Sequence, residues 1–175
     1  MRKQKGFSLI ELLIVVAIIL IIAAIAIPNL LRAKMSAADS AAAATIRALD
    51  TAELTYSINY PGVGFADSFV KLGPNPTAGT TDPTTGANLI DGVLAATANG
   101  PNKKGGYMYY LIGGAALDFT VSAEPNQMHS TGNNVFCSSG DAVIKSQVAN
   151  PAVASGGAVT TVLCNTVATY TALKN

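Results

Sequence analysis

One uninterrupted apolar run dominates the start of the chain. Residues 12–27 are 16 consecutive apolar side chains, and mostly apolar residues extend the run to Phe7 on one side and Leu31 on the other. An α-helix rises about 1.5 Å per residue, so a helix over residues 7–31 covers a hydrocarbon core of about 30 Å. The pattern predicts a membrane-spanning helix over this stretch.

A second helical pattern follows over residues 32–60. The stretch is rich in alanine and contains no glycine or proline, which favours helix. Apolar residues recur every three or four positions, which is typical of an amphipathic helix with one buried face; they are Ala42, Ile46, Leu49, Ala52, Tyr56 and Tyr60. Four charged residues lie mostly off this stripe, so we expect them mostly on the exposed face; they are Asp39, Arg47, Asp50 and Glu53.

Pro28 separates the two helical patterns. Proline has no N–H and its ring crowds the carbonyl four residues earlier, so it either ends the first helix or kinks a helix that runs through it. Because helical periodicity resumes after Pro28, the sequence favours one kinked helix from Phe7 to about Tyr60, roughly 80 Å long. Pro61 and Gly62 then end the helix.

Residues 61–106 have a different composition. Of these 46 residues 14 are glycine or proline, which predicts a connecting loop with little to bury. The stretch LIDGVLAATANG, residues 89–100, is the one part that suggests a short helical turn. We therefore expect residues 61–106 to link the helix to residues 107–175.

Strand patterns fill residues 107–175. The stretches GYMYYLIGG and LDFTVSAEP flank Gly113–Ala116 and predict a hairpin. In the second stretch apolar residues alternate with polar ones, which predicts a half-buried strand. NVFCSSGDAVIKSQ contains a turn at residues 139–141, and the β-branched residues of 157–173 suggest one or two further strands. The fold class expected from these patterns is α+β, with a long N-terminal helix packed on a small antiparallel sheet.

Charge and candidate chemistry argue against several function classes. The formal net charge is +1, and the Lys103-Lys104 pair is too small a basic spot to indicate nucleic-acid binding. The chain has one histidine, His129, and we see no catalytic nucleophile motif, phosphate loop or calcium-loop spacing. We therefore predict no catalytic residues, no metal site, no cofactor and no nucleic-acid partner.

The acidic residue Glu11 needs an explanation, because it lies inside the apolar run. A basic start, an apolar core and the small residues Ala24 and Ala26 fit a conventional secretory signal, and a plain membrane anchor is equally simple. Neither explains a carboxylate in a membrane segment, where an ionisable residue is a functional candidate with a partner to be found. Cleavage between Gly6 and Phe7 would supply that partner, because the new α-amine of Phe7 lies four residues from Glu11.

These residues resemble the N-terminus of a type IV prepilin or of a related pseudopilin. The shared features are a short basic leader, Gly6 followed by Phe7, Glu11, an unbroken apolar run and Pro28-Asn29. The resemblance implies cleavage after Gly6 by a prepilin peptidase, N-methylation of Phe7 and a role for Glu11 in subunit assembly. The implied organisation is a leader over 1–6, a transmembrane and fibre-core helix over 7–31, an amphipathic helix over 32–60, a connecting loop over 61–106, and a sheet with a C-terminal disulfide region over 107–175.

Cys137 and Cys164 are the two cysteines of the chain. If the part of the chain after the transmembrane helix, which we call the head, is exported, an oxidising compartment favours one disulfide between them. The alternative is two free thiols. The resemblance supports the disulfide, because the family often cross-links its C-terminal region in this way.

The function that the sequence favours is a structural subunit of a type IV pilus, without catalysis of its own. Its partners would be further copies in a helical fibre, the prepilin peptidase and the assembly machinery of the inner membrane. The chain would span the inner membrane with a cytoplasmic N-terminus and then enter an extracellular pilus or a periplasmic pseudopilus. The alternatives are a minor pilin or a type II secretion pseudopilin and, from another class, an exported or membrane-anchored periplasmic binding protein.

Overall fold

The structure, a computed structural model, describes residues 7–77, 79–96, 101–115, 118–149, 164 and 171–173. The chain divides into two compact units, Met1–Lys34 and Met35–Asn175. Each unit is described by itself below.

Helix α1 runs without interruption from Leu9 to Asn59. Pro28 lies inside this helix and does not end it, so the helix continues as its resumed periodicity predicts. The kink at Pro28 stays a prediction. The N–H of Tyr60 still donates to the carbonyl of Tyr56, and the chain then leaves the helix at Pro61.

The second half of α1 buries one face, as its periodicity predicts. Ala42, Ile46, Leu49, Ala52 and Tyr56 are buried in the main core, and Tyr60 packs against it half-buried. The expectation that the charged residues lie mostly on the exposed face is wrong. Of these four, only Arg47 is exposed, whereas Asp39, Asp50 and Glu53 are 9%, 5% and 0% exposed. Each acid is a neighbour of the apolar stripe along the helix surface, so what packs on the stripe covers the acids as well: the sheet at Asp39 and the connecting region, through Ala66, at Glu53.

Among the described residues, six strands form one antiparallel sheet in which every strand neighbours the next in sequence. They are β1 Asn102–Lys104, β2 Tyr107–Ala115, β3 Asp118–Pro125, β4 Asn134–Ser139, β5 Lys145–Val148 and β6 Thr171–Ala172. The predicted hairpin is confirmed as β2 and β3, which pair from Tyr107 opposite Pro125 to Ala115 opposite Asp118. The predicted turn after β4 is also present, closed by the N–H of Ala142 on the carbonyl of Ser139 at 2.7 Å. Of the strands suggested over 157–173, β6 lies among the described residues.

Both faces of the central strands are covered. Phe119, Val121 and Ala123 of β3 belong to the main core with α1, while Val135 and Cys137 of β4 form a second cluster with Ala149 and Cys164. The prediction that β3 is half-buried is therefore wrong, because its polar residues Thr120 and Ser122 are 1% and 2% exposed. Ser122 pairs across the sheet with Cys137, so the polar face of β3 turns toward the second cluster.

The connecting region contains more order than its composition predicts. Helix α2, Phe69–Leu72, and strand β1 both lie within residues 61–106. Phe69 and Leu72 are buried in the core and fix α2 there. Asn75 and Asn88 hold the following loop together, because the Asn88 side chain accepts the Asn75 N–H at 2.8 Å and donates to the Thr80 carbonyl at 2.8 Å.

Candidate assembly site

The first part of α1 presents an apolar surface with nothing packed on it in the described part of the chain. Large side chains from Leu9 to Leu31 are between 46% and 79% exposed. α1 is the one described helix long and apolar enough to cross a membrane, and it lies near the N-terminus. An exposed surface of this kind is stable only in a bilayer or against other apolar helices.

Glu11 occupies the first turn of α1. Its Oε2 accepts a long hydrogen bond of 3.4 Å from the N–H of Ser8, the residue directly before the helix. Ser8 and Glu11 therefore have the spacing of a capping box, in which the third helical residue reaches back to the N-cap N–H. A negative charge in the first turn is also favourable to the helix dipole. This local role was missed by the sequence analysis, although Ser-x-x-Glu before an apolar run is its usual signal.

Of the two residues that flank the predicted cleavage bond, the structure describes Phe7 but not Gly6. Phe7 is 74% exposed and directly precedes Ser8. Gly6 and the leader residues 1–5 lie outside the described residues, so the predicted cleavage bond is not seen. Cleavage there would separate the leader, residues 1–6, from Phe7, which directly precedes the Ser8 cap of α1.

The Asp39 carboxylate joins the head part of α1 to the sheet. Its Oδ1 accepts the hydroxyl of Tyr107 at 2.5 Å and the N–H of Asn133 at 3.0 Å, and its Oδ2 accepts the side-chain amide of Asn134 at 2.6 Å. Three donors compensate the desolvation of this carboxylate. Burial, the hydrogen bond from the hydroxyl to Asp39 and the charge of Asp39 raise the pKa of Tyr107 far above its usual value.

Two further acids of α1, Asp50 and Glu53, are buried with fewer hydrogen-bond donors than Asp39. Oε2 of Glu53 accepts the N–H of Ala66 at 3.0 Å, while Oε1 has no hydrogen-bond partner. Burial raises the pKa of Glu53 to about 8, and the charges of Asp50 and Asp67 add to the effect. Burial likewise raises the pKa of Asp50 to about 6, which the Ser138 hydroxyl partly offsets. The fold therefore keeps Glu53 protonated at neutral pH.

The structure joins Cys137 of β4 to Cys164 by a disulfide, with the two Cα atoms 6.0 Å apart. The bond lies in the second cluster, where both cysteines are at most 1% exposed. It holds Cys164 against the face of the sheet that the second cluster covers. Among the residues described, no group of three or more histidine, cysteine or acidic side chains comes together as a metal site.

Comparisons with known proteins agree with the geometry of the N-terminus. The family described as the prokaryotic N-terminal methylation motif matches residues 1–27. The type IV wide pilus major component PilA4 of Thermus thermophilus is 38% identical over 100 residues, which cover 57% of this chain and 70% of that protein. The type IV major pilin protein PilA of Myxococcus xanthus is 48% identical over 54 residues, which cover 31% of this chain and 24% of that protein.

No solved structure matches the chain significantly. The methylation motif includes Gly6, Phe7 and Glu11, and the similarity to PilA4 covers more than two thirds of that relative. Together with a long apolar helix that continues into an α+β head, these matches show that the chain belongs to the type IV pilin family.

Proposed function

We propose that this chain is a major pilin, a structural subunit that polymerises through the first part of α1 after residues 1–6 are removed. The observation that carries the proposal is the uncovered apolar surface from Leu9 to Leu31, which needs a bilayer or neighbouring helices. The same surface is covered first in the membrane and then in the fibre. In the membrane lipid covers it, and in the fibre the helices of other copies replace the lipid.

Glu11 would set the stagger between subunits in this fibre. Cleavage before Phe7 creates an α-amine, and Glu11 places a carboxylate one helical turn away. The amine of one subunit would meet Glu11 of its neighbour in the apolar fibre core. Apolar packing alone leaves the axial position of a helix loosely defined, whereas one buried ion pair favours a single register.

The capping contact to Ser8 is compatible with this role. A carboxylate that accepts one hydrogen bond at 3.4 Å retains acceptor capacity for an ammonium group. The helix N-terminus also orients the carboxylate before assembly, which reduces the ordering that the inter-subunit pair requires.

Type II secretion pseudopilins and minor pilins are the competing assignments within the family. Both reported relatives carry the description of a major pilus component or major pilin, which favours the major pilin. No catalytic function is assigned, because these relatives are structural subunits.

Electron microscopy of a strain that lacks this chain tests the proposal. We expect surface fibres to disappear and to return when the wild-type gene is restored. Fibres that persist at wild-type number in the deletion strain, together with lost protein secretion, would instead identify a pseudopilin. Fibres that persist with normal secretion would exclude a major role in either system.

A further inference from the structure

A cleft of about 420 Å³ lies within the unit Met35–Asn175, between α1 and the far edge of the sheet. Asp50 and Leu54 of α1 line one wall, and Val143 and Leu173 line the other. Val143 precedes β5 and Leu173 follows β6, so the cleft lies at the β5–β6 end of the sheet.

One carboxylate oxygen of Asp50, Oδ1, is a buried acceptor that lacks a donor, even with the Ser138 hydroxyl beside the carboxylate. The residue is 5% exposed, and its Oδ1 has no hydrogen-bond partner. A buried carboxylate oxygen without a donor is costly, so a cation that enters the cleft would be stabilised there. Lys145 contacts the Asp141 carboxylate at 2.8 Å, and Oδ1 of Asp50 receives no hydrogen bond from it. Arg47 also lines the cleft, but its side chain is exposed and makes no ion pair with Asp50 among the described contacts.

One lysine of the described head has no acidic partner. Lys71, Lys104 and Lys145 form ion pairs with Asp67, Asp91 and Asp141. Lys103 is exposed and forms no ion pair within the described residues. It lies on β1, which is the edge strand opposite β6 in the strand order of the sheet.

We propose that the Lys103 ammonium of one subunit enters the Asp50 cleft of the next subunit in the fibre. Complementary groups on opposite edges are what a heterologous, head-to-tail interface requires, because it joins two different surfaces of the same chain. Lysine suits the cleft, since its flexible stem can lie along Leu54 and Leu173 while its head donates to the carboxylate. The inference rests on the proposed assembly of this chain into a fibre.

Cysteine cross-linking of assembled fibres tests the contact directly. Lys103→Cys is combined with Val143→Cys, which lies on the cleft wall and is 40% exposed in the native protein. Oxidised, sheared fibres should give a ladder of dimers, trimers and higher multimers on a non-reducing gel. Lys71→Cys with Val143→Cys is the matched control and should stay monomeric. Well-formed fibres of the Lys103 variant that stay monomeric would overturn the proposal, as would equal ladders from the control.

Charge variants test the same contact without added thiols. Sheared fibres of Lys103→Gln should dissociate at a lower temperature than wild-type fibres, Lys103→Arg should restore much of the loss, and Arg47→Gln should have little effect. Asp50→Asn should add little to Lys103→Gln, because both changes remove one pair. Additive effects would overturn the proposal, and so would a larger effect of Arg47→Gln than of Lys103→Gln. Absence of fibres from the wild-type chain would instead refute the proposed function.

Discussion

Asp39 and Tyr107 are 68 positions apart in sequence, yet the Tyr107 hydroxyl donates to the Asp39 carboxylate at 2.5 Å. The contact joins α1 to β2 and is buried on both sides. Charge-assisted hydrogen bonds of this kind are stronger than neutral ones. Because Asn133 and Asn134 donate to the same carboxylate, Asp39 connects the helix with β2 and also with the start of β4.

Asp39→Ala should therefore destabilise the head more than Tyr107→Phe. Tyr107→Phe removes one donor and leaves Asp39 two others, so we expect a cost of about 1.5–3 kcal/mol. Asp39→Ala leaves the Asn133 N–H and the Asn134 side-chain amide without this acceptor, and each unsatisfied buried donor costs about 1–3 kcal/mol, so we expect a larger total cost. Thermal or denaturant unfolding of the full chain in detergent measures both. Equal effects of the two variants would contradict the central position of Asp39.

The buried Glu53 should make the head less stable as pH rises. Its pKa in the folded state is raised to about 8 from 4.5, so between these values the unfolded chain releases a proton that the folded chain keeps. Folding stability should fall by about 1.4 kcal/mol per pH unit in this window, and its full value should be present below it. Glu53→Gln keeps the acceptor for Ala66 and cannot ionise. In this variant the free energy of unfolding should fall less steeply between pH 5 and pH 8. An unchanged pH dependence would exclude Glu53 as its source.

Glu11 should matter for assembly and not for folding of the head. Glu11→Ala removes a membrane-buried charge, which eases insertion by up to about 2.5–3.5 kcal/mol, but it deprives the Phe7 amine of its partner. Breaking a buried ion pair costs about 3–5 kcal/mol, so we expect a stable membrane pool of subunit with few fibres. The measurement compares total subunit with sheared fibre.

Glu11→Gln separates the two roles of this residue. Glutamine retains the capping geometry with Ser8 and loses the charge. If the inter-subunit pair is the main role, this variant should assemble poorly, at best between wild type and Glu11→Ala. Wild-type fibre yield from Glu11→Gln would show that the cap, and not the charge, is what assembly needs.

The mature chain should begin at Phe7 and carry a methyl group on its amine. Removal of residues 1–6 takes away Arg2, Lys3 and Lys5, which leaves 8 basic and 10 acidic side chains and a formal side-chain charge of −2. Mass spectrometry of the N-terminal peptide from purified fibres measures both the new N-terminus and the added methyl group. Conventional signal cleavage would instead give an N-terminus at Ile27, and an intact Met1 would exclude processing altogether.

Cys137 and Cys164 should be oxidised in exported protein. The bond found in the structure closes a loop with a sequence separation of 27 residues, which corresponds to about 3 kcal/mol in the chain-entropy model. Thiol labelling of freshly exported, denatured and unreduced protein should find no reactive cysteine. Two labelled thiols per chain would contradict the bond in the native protein. Replacing both cysteines by serine should lower the unfolding temperature without changing processing after Gly6.

The sequence by itself determined the parts of this protein whose interactions are local. The leader before Phe7, the apolar run over 7–31 and the periodicity around Ile46 and Tyr56 are patterns of nearby residues. They predicted the long helix and the pilin family, and the alternating patterns over 107–175 added the α+β class. The Ser8–Glu11 cap was equally readable from local spacing and was overlooked.

Only the tertiary structure decided which polar residues are buried. Asp39, Asp50 and Glu53 were expected on a solvated helix face and are buried. Helical spacing shows which residues are neighbours on the helix, but not how wide a surface the rest of the fold covers. Thr120 and Ser122 were expected on the exposed side of a strand, because no local pattern shows that Cys164, bonded to Cys137, belongs to a second cluster on that side. Burial is set by partners far away in sequence, such as Tyr107 for Asp39, and these partners exist only once the chain has folded.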